Sequence, residues 1–113
     1  MPYIKLSTNK TLTLHQELAI KEKLGELISL IPGKSESSLM IHIEDNQVMY
    51  FRGKDDPCMM ISVNLYHEAD YDSKRKFYQE VTQFLESCTD IKVDNQYLTF
   101  DEYQYWGLKG DLY

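Results

Sequence analysis

The sequence predicts a two-layer α/β fold: two strand–helix–strand units forming one four-stranded sheet, with both helices on one face. Three observations predict it. Short segments alternate apolar and polar residues, as half-buried strands do. Two longer segments space their apolar residues as helices do. The order strand, helix, strand occurs twice, and such a crossover favours parallel neighbours and a right-handed connection. At 113 residues the chain is expected to be a single domain, 1–113, large enough to bury a core without disulfides or metals.

The first strand is expected at 2–7, with Pro2, Ile4 and Leu6 on one face and Tyr3 and Lys5 on the other. Thr8-Asn9-Lys10 reads as a loop. Thr13, with Gln16 three residues on, has the form of a capping box opening a helix over 13–31. Leu14, Leu18, Leu24, Leu27, Ile28 and Ile31 supply its apolar positions; Gly25 weakens it slightly, and Pro32-Gly33 ends it. Leu39, Ile41 and Ile43 alternate along a second strand at 39–44. Asp45-Asn46 signals a turn, and Gln47–Phe51 reads as a short return strand.

Met59, Ile61, Val63 and Leu65 alternate with Met60, Ser62, Asn64 and Tyr66 in the clearest strand, 58–66. Asp72 or Ser73 is expected to cap a second helix over 72–88, with Phe77, Val81, Phe84, Leu85 and Cys88 on one face. Tyr97–Phe100 reads as the last core strand. An aromatic tail follows, with Tyr103, Tyr105, Trp106 and Tyr113. The second sheet face is partly apolar, through residues such as Met60 and Tyr66. Together with the tail, this predicts self-association.

Twelve Lys and Arg stand against 18 Asp and Glu, a net charge of −6 that argues against binding a phosphate backbone. No stretch is long or apolar enough to span a bilayer, and no basic-then-apolar leader opens the chain. Cys58 and Cys88 are too few for a disulfide framework. A reducing, cytoplasmic location is expected, with unconventional export left open. His15, His42 and His67 are isolated, and no phosphate loop or dinucleotide fingerprint is present. Nothing asks for a cofactor or metal.

The start carries its own chemistry. Methionine before a small residue is normally removed, so the mature chain is expected to begin at Pro2 with a secondary amine. A free α-amino group titrates near about 7.7–8.0. Burial or a nearby cation lowers that value, and an amine neutral near pH 7 can serve as a general base.

Four segments resemble the macrophage migration inhibitory factor family of the tautomerase superfamily. They are M-P-Y-I-K-L-S-T-N at the start, P-G-K at 32–34 before a strand with His42, F-R-G-K-D-D-P-C at 51–58, and Y-L-T-F at 97–100 with W-G-L-K-G-D-L-Y at 106–113. The resemblance runs essentially end to end. It implies a homotrimer of two-βαβ subunits with active sites between subunits. It further implies keto–enol interconversion of α-keto acids such as phenylpyruvate, with Pro2 as catalytic base. Lys34 would hold the substrate carboxylate, Tyr97 would come from a neighbouring subunit, and Tyr113 would close the pocket. Tyr66, Thr99, Trp106 and Leu108 complete the implied substrate-binding set.

The chain departs from the family pattern in several places. The family's Ile-Gly-x-Ile-Gly loop is Tyr66-His67-Glu68-Ala69-Asp70-Tyr71 here, where Glu68 and Asp70 would oppose an anionic substrate if they faced it. Thr99 stands for an asparagine, Leu108 for an aromatic residue and Lys109 for an asparagine. The second cysteine of Cys-x-x-Cys is Ile61, which removes the basis for thiol chemistry. A cytokine-like interaction module, with a vestigial or weak site and a protein partner, is the alternative. Relatives with other chemistries typically use pocket arginines. Here Arg52 and Arg75 are the arginines, and neither falls at a matched position.

Overall fold

The computed structural model describes residues 1–113. Strand β1 runs Pro2–Thr8, helix α1 Leu14–Leu27, β2 Met40–Glu44, β3 Met59–Tyr66, α2 Tyr71–Thr89 and β4 Gln96–Tyr103. Two short strands follow, β5 Gly107–Leu108 and β6 Asp111–Leu112. The main sheet has the order β2-β1-β3-β4. Each strand–helix–strand unit yields a parallel pair, β1 with β2 and β3 with β4. The two units meet where β1 lies antiparallel to β3.

The alternation read along β1 and β3 is the alternation of burial. Ile4, Leu6, Ile61, Val63 and Leu65 are fully buried. Leu24 and Ile28 from the first helical segment, and Phe77, Val81 and Leu85 from α2, close the same core. Leu14 and Leu18 do not join it, being 69% and 56% exposed. Helix α1 is shorter than the expected 13–31. It ends at Leu27 and passes into a 3-10 turn at Ile28–Leu30. Gly25 is buried where the Ser35–Ser38 segment crosses the helix, and a Cβ there would run into the Glu36 carboxylate.

The capping box forms. Thr13 Oγ1 accepts from the Gln16 N–H at 3.1 Å, and Gln16 Oε1 accepts from the Thr13 N–H at 2.9 Å. The Gln16 amide also donates to the Cys88 carbonyl, tying the start of α1 to the end of α2. Thr13→Ala is expected to lower stability by about 1 kcal/mol, read from the urea midpoint at unchanged slope.

The cap of α2 is Asp70, in place of the expected Asp72 or Ser73. Its Oδ2 accepts from the Ser73 N–H at 2.9 Å. The same loop is pinned by Glu102, which accepts from the Ala69 N–H at 2.6 Å and from Lys74 Nζ at 2.9 Å. Burial pushes the Glu102 carboxyl up, but these two partners win and hold it below its ordinary 4.5. A carboxyl depressed on folding stabilises above its unfolded value and loses that contribution as pH falls through the folded one. Stability carried by this contact is therefore expected to fade below about pH 4.5. Glu102→Gln should flatten that part of the pH–stability curve in thermal unfolding.

The return strand expected at 47–51 does not form. The segment spends its hydrogen bonds elsewhere. Gln47 N–H donates to the Thr8 carbonyl at 3.0 Å. The Asn9 amide donates to the carbonyls of Met49, Asp55 and Asp56, while its Oδ1 accepts from the Cys58 N–H. Phe51 pairs only across its own turn, with Lys54.

Candidate functional site

A cleft of about 340 Å³ opens at the N-terminal end of β1. Tyr3 is in register with Met40 of β2 and Asn64 of β3, so these side chains form a row across the sheet face that the helices leave open. Met1, Pro2 and Ser38 border that row. Trp106, Gly107 and Leu108 form the opposite wall.

That wall is a hairpin. Lys109 and Gly110 have φ of 54° and 80°. These left-handed values are those of a two-residue turn matched to strand twist. The flanking residues Trp106 and Tyr113 exchange both backbone hydrogen bonds, at 3.0 and 2.9 Å. The Trp106 ring meets Tyr103 edge to face, with centroids 6.2 Å apart.

The terminal amine lies beside this cleft. Burial first, and then the charge of Lys34, push the Met1 amine below its ordinary 8.0. Lys34 reaches this position because Gly33 turns left-handed, at φ 79°, just after the first helical segment. Its half-buried ammonium donates to the Tyr66 carbonyl at 2.8 Å, and burial lowers its own pKa. An ammonium has three donors. One is used, so the others can meet an anion. The same cation and aromatic wall would act on an amine at Pro2, where a neutral base could move a proton on a small anionic substrate.

Pro2, Trp106 and Leu108 thus come together in one cleft, and Lys34 acts on it through its charge. Tyr66 contributes its carbonyl to Lys34, and its ring lies edge-on to His67, 3.8 Å between centroids. Tyr113 holds the Trp106 backbone without lining the cleft. His67 and Glu68 line a separate depression with Glu102 and Tyr103.

Tyr97 and Thr99 do not reach the cleft of their own chain. Pro2 lies opposite Leu65, whereas Tyr97 lies opposite Met60, five residues along β3. That is about 17 Å along the strand. Tyr97 is 61% exposed on the open sheet face. Its one ring contact is Phe51, edge to face at 5.1 Å.

Sequence reasoning missed Ser38, Met40 and Asn64 as cleft residues. Strand alternation puts Asn64 on the correct face, but nothing in the sequence marks that row. On the same face, the Tyr3 hydroxyl lies 2.8 Å from His42 Nδ1, and Glu44 gathers His42, Lys5 and Ser7. No three His, Cys, Asp or Glu side chains converge as a metal site, and no helix is long and apolar enough to cross a membrane.

A family model described as macrophage migration inhibitory factor matches residues 1–110. Solved structures are similar throughout. Leishmania major MIF2 superposes with a TM-score of 0.92 at 16% identity, over 100% of this chain and 97% of that one. The macrophage migration inhibitory factor-like protein of Entamoeba histolytica gives 0.87 at 19% identity, over 99% and 98%. The macrophage migration inhibitory factor of Giardia lamblia gives 0.72 at 23% identity, over 89% and 98%. At these identities the likeness concerns the fold. No curated protein sequence matches the chain significantly.

Proposed function

We propose that this chain, which belongs to the macrophage migration inhibitory factor family, is a cofactor-independent keto–enol tautomerase of α-keto acids such as phenylpyruvate. Its base is the Pro2 amine, exposed when Met1 is removed. One observation carries the reading. Pro2 lines a cleft walled by Trp106 and Leu108, and the amine of the preceding Met1 is held below its ordinary value there by burial and by Lys34.

Keto–enol exchange moves one proton between oxygen and carbon. A single base placed over the substrate takes the enol proton and returns it to carbon. Lys34 anchors the carboxylate and, by its charge, favours the neutral amine. Trp106 and Leu108 pack on the substrate's apolar part and exclude water.

The working unit in this proposal is a homotrimer, in which Tyr97 and Thr99 of one copy complete the cleft of a neighbour. Their exposure, and their distance from the cleft of their own chain, support that arrangement. A second reading, a cytokine-like interaction module with a weak site, draws on the acidic 66–71 loop and on the exposed Tyr97, Tyr105 and Tyr113.

The test is enol-to-keto conversion of phenylpyruvate, followed by ultraviolet absorbance, for the native chain and for Pro2→Gly. Intact mass reports the N-terminal residue. Turnover that collapses in the variant supports the tautomerase. No turnover by a correctly processed, trimeric protein moves the interaction reading ahead.

A further inference from the structure

We propose that Arg52 is a positioning residue: its guanidinium, clamped on the ring of Phe51, holds Tyr97 in the orientation in which it meets a neighbouring copy's cleft. The inference rests on the reading of Tyr97 given above.

The first observation is backbone geometry. Arg52 and Gly53 have φ of 55° and 76°, in a two-residue turn closed by hydrogen bonds between Phe51 and Lys54. Glycine, asparagine and aspartate suit the first position of such a turn, and a long side chain does not. Lys109 sits in the same conformation with no ring contact or hydrogen bond from its side chain, so the turn alone does not create the contacts of Arg52.

The second observation is a closed circuit of contacts. Arg52 Nη2 donates to the Asp94 carbonyl at 3.0 Å. Asp94 lies three residues before Tyr97, in the 3-10 turn that leads into β4. The Arg52 guanidinium then lies over the Phe51 ring, 4.6 Å from its centroid. Phe51 meets the Tyr97 ring edge-on at an interplanar angle of 82°. The circuit leaves β4 at its approach and returns to it at Tyr97. A cation over an aromatic face is attracted by the ring quadrupole, and Arg's planar fork keeps a hydrogen bond at the same time. Without the clamp, Phe51 is free to turn. Tyr97, exposed and touching no other ring, then loses its one ring contact.

The test compares Arg52→Gly and Arg52→Lys with the parent by three readouts: Tyr97 ring resonances in tyrosine-labelled protein, steady-state kinetics on phenylpyruvate, and the denaturation midpoint. In Arg52→Gly the Tyr97 resonances are expected to move toward free-tyrosine positions. KM should rise about two- to fivefold, the equivalent of an exposed cation–π contact, with kcat little changed. The midpoint should hold or rise, because glycine suits the positive φ. Arg52→Lys keeps the charge without the fork and should fall between. Unmoved Tyr97 resonances in Arg52→Gly overturn the proposal, as does a KM that rises only alongside a falling midpoint. Tyr97→Ala separates the layers. If it leaves KM unchanged while the Arg52→Gly resonances move, the reading of Tyr97 as a site residue falls, and the functional half of this proposal falls with it.

Discussion

A chain carrying Pro2→Gly is expected to convert the enol of phenylpyruvate about 10²- to 10⁴-fold more slowly than the parent, the range a positioned general base contributes. Glycine keeps an amine at the terminus but loses the ring that fixes where the lone pair points. Pro2 is buried at the start of β1, opposite Leu65, so the parent amine has little freedom. The variant amine is free to swing. A second form of the experiment leaves the sequence intact. A chain that keeps Met1 has its Pro2 nitrogen locked in an amide, which is no base. Such a chain should be as slow as the variant, and robust turnover by it would sink the mechanism. The pH profile supplies an independent check. The base must be neutral, so kcat/KM falls as pH drops through the amine's value. Burial and Lys34 lower that value in the Met1 form. On the proposed mechanism Lys34, which lowers the Met1 amine, also lowers the Pro2 amine of the processed chain, so the acid limb is expected below the value of the same amine in an unfolded chain.

Lys34→Ala should act on both halves of this chemistry. Losing a charge-assisted bond to a carboxylate costs about 1.5–3 kcal/mol, so KM is expected to rise about 10- to 100-fold. Removing the nearby cation also relieves the terminal amine. Its pKa rises, and the acid limb of kcat/KM moves to higher pH. Steady-state kinetics across pH report both effects. A KM that rises with an unmoved limb would mean that Lys34 binds substrate without tuning the base. A limb that moves alone would leave the carboxylate without its anchor. The Tyr66 carbonyl loses its Lys34 donor as well, so the folded state should be checked by unfolding before rates are compared.

The parts of the fold that follow from repetition were legible in the sequence. Strand β3 alternates without interruption, and the Thr13–Gln16 box is a local signature that needs nothing from the rest of the chain. What depends on distant partners was not legible. Leu14 and Leu18 keep helical spacing but sit on the first turns, outside the buried set of Ile20, Leu24 and Ile28. The segment after Asn46 reads as a strand, but the side chain of Asn9 takes its Met49 carbonyl and Thr8 takes the Gln47 N–H. Strand β4 runs on to Tyr103 because it pairs with β3 as far as Tyr66, with Glu102, polar in sequence, satisfied there by Ala69 and Lys74. The closing hairpin turns on Lys109-Gly110, not on the Asn-Gly pair that usually marks such a turn. The cleft follows the same rule. Pro2 was readable by chemistry and by resemblance, Lys34 by resemblance. Ser38, Met40 and Asn64 owe their place to strand register alone.

The five-residue offset between Pro2 and Tyr97 along the sheet also bears on inheritance and dosage. In the proposed trimer each copy gives its amine to one cleft and its tyrosine to another. A copy defective in either residue silences one cleft when it mixes with sound copies. A copy defective in both silences two, because the damage falls on itself and on its neighbour. In a cell making sound and doubly defective chains together, the loss of activity therefore exceeds the defective fraction. The doubly altered allele would behave as partly dominant, although it destroys no fold and binds nothing new.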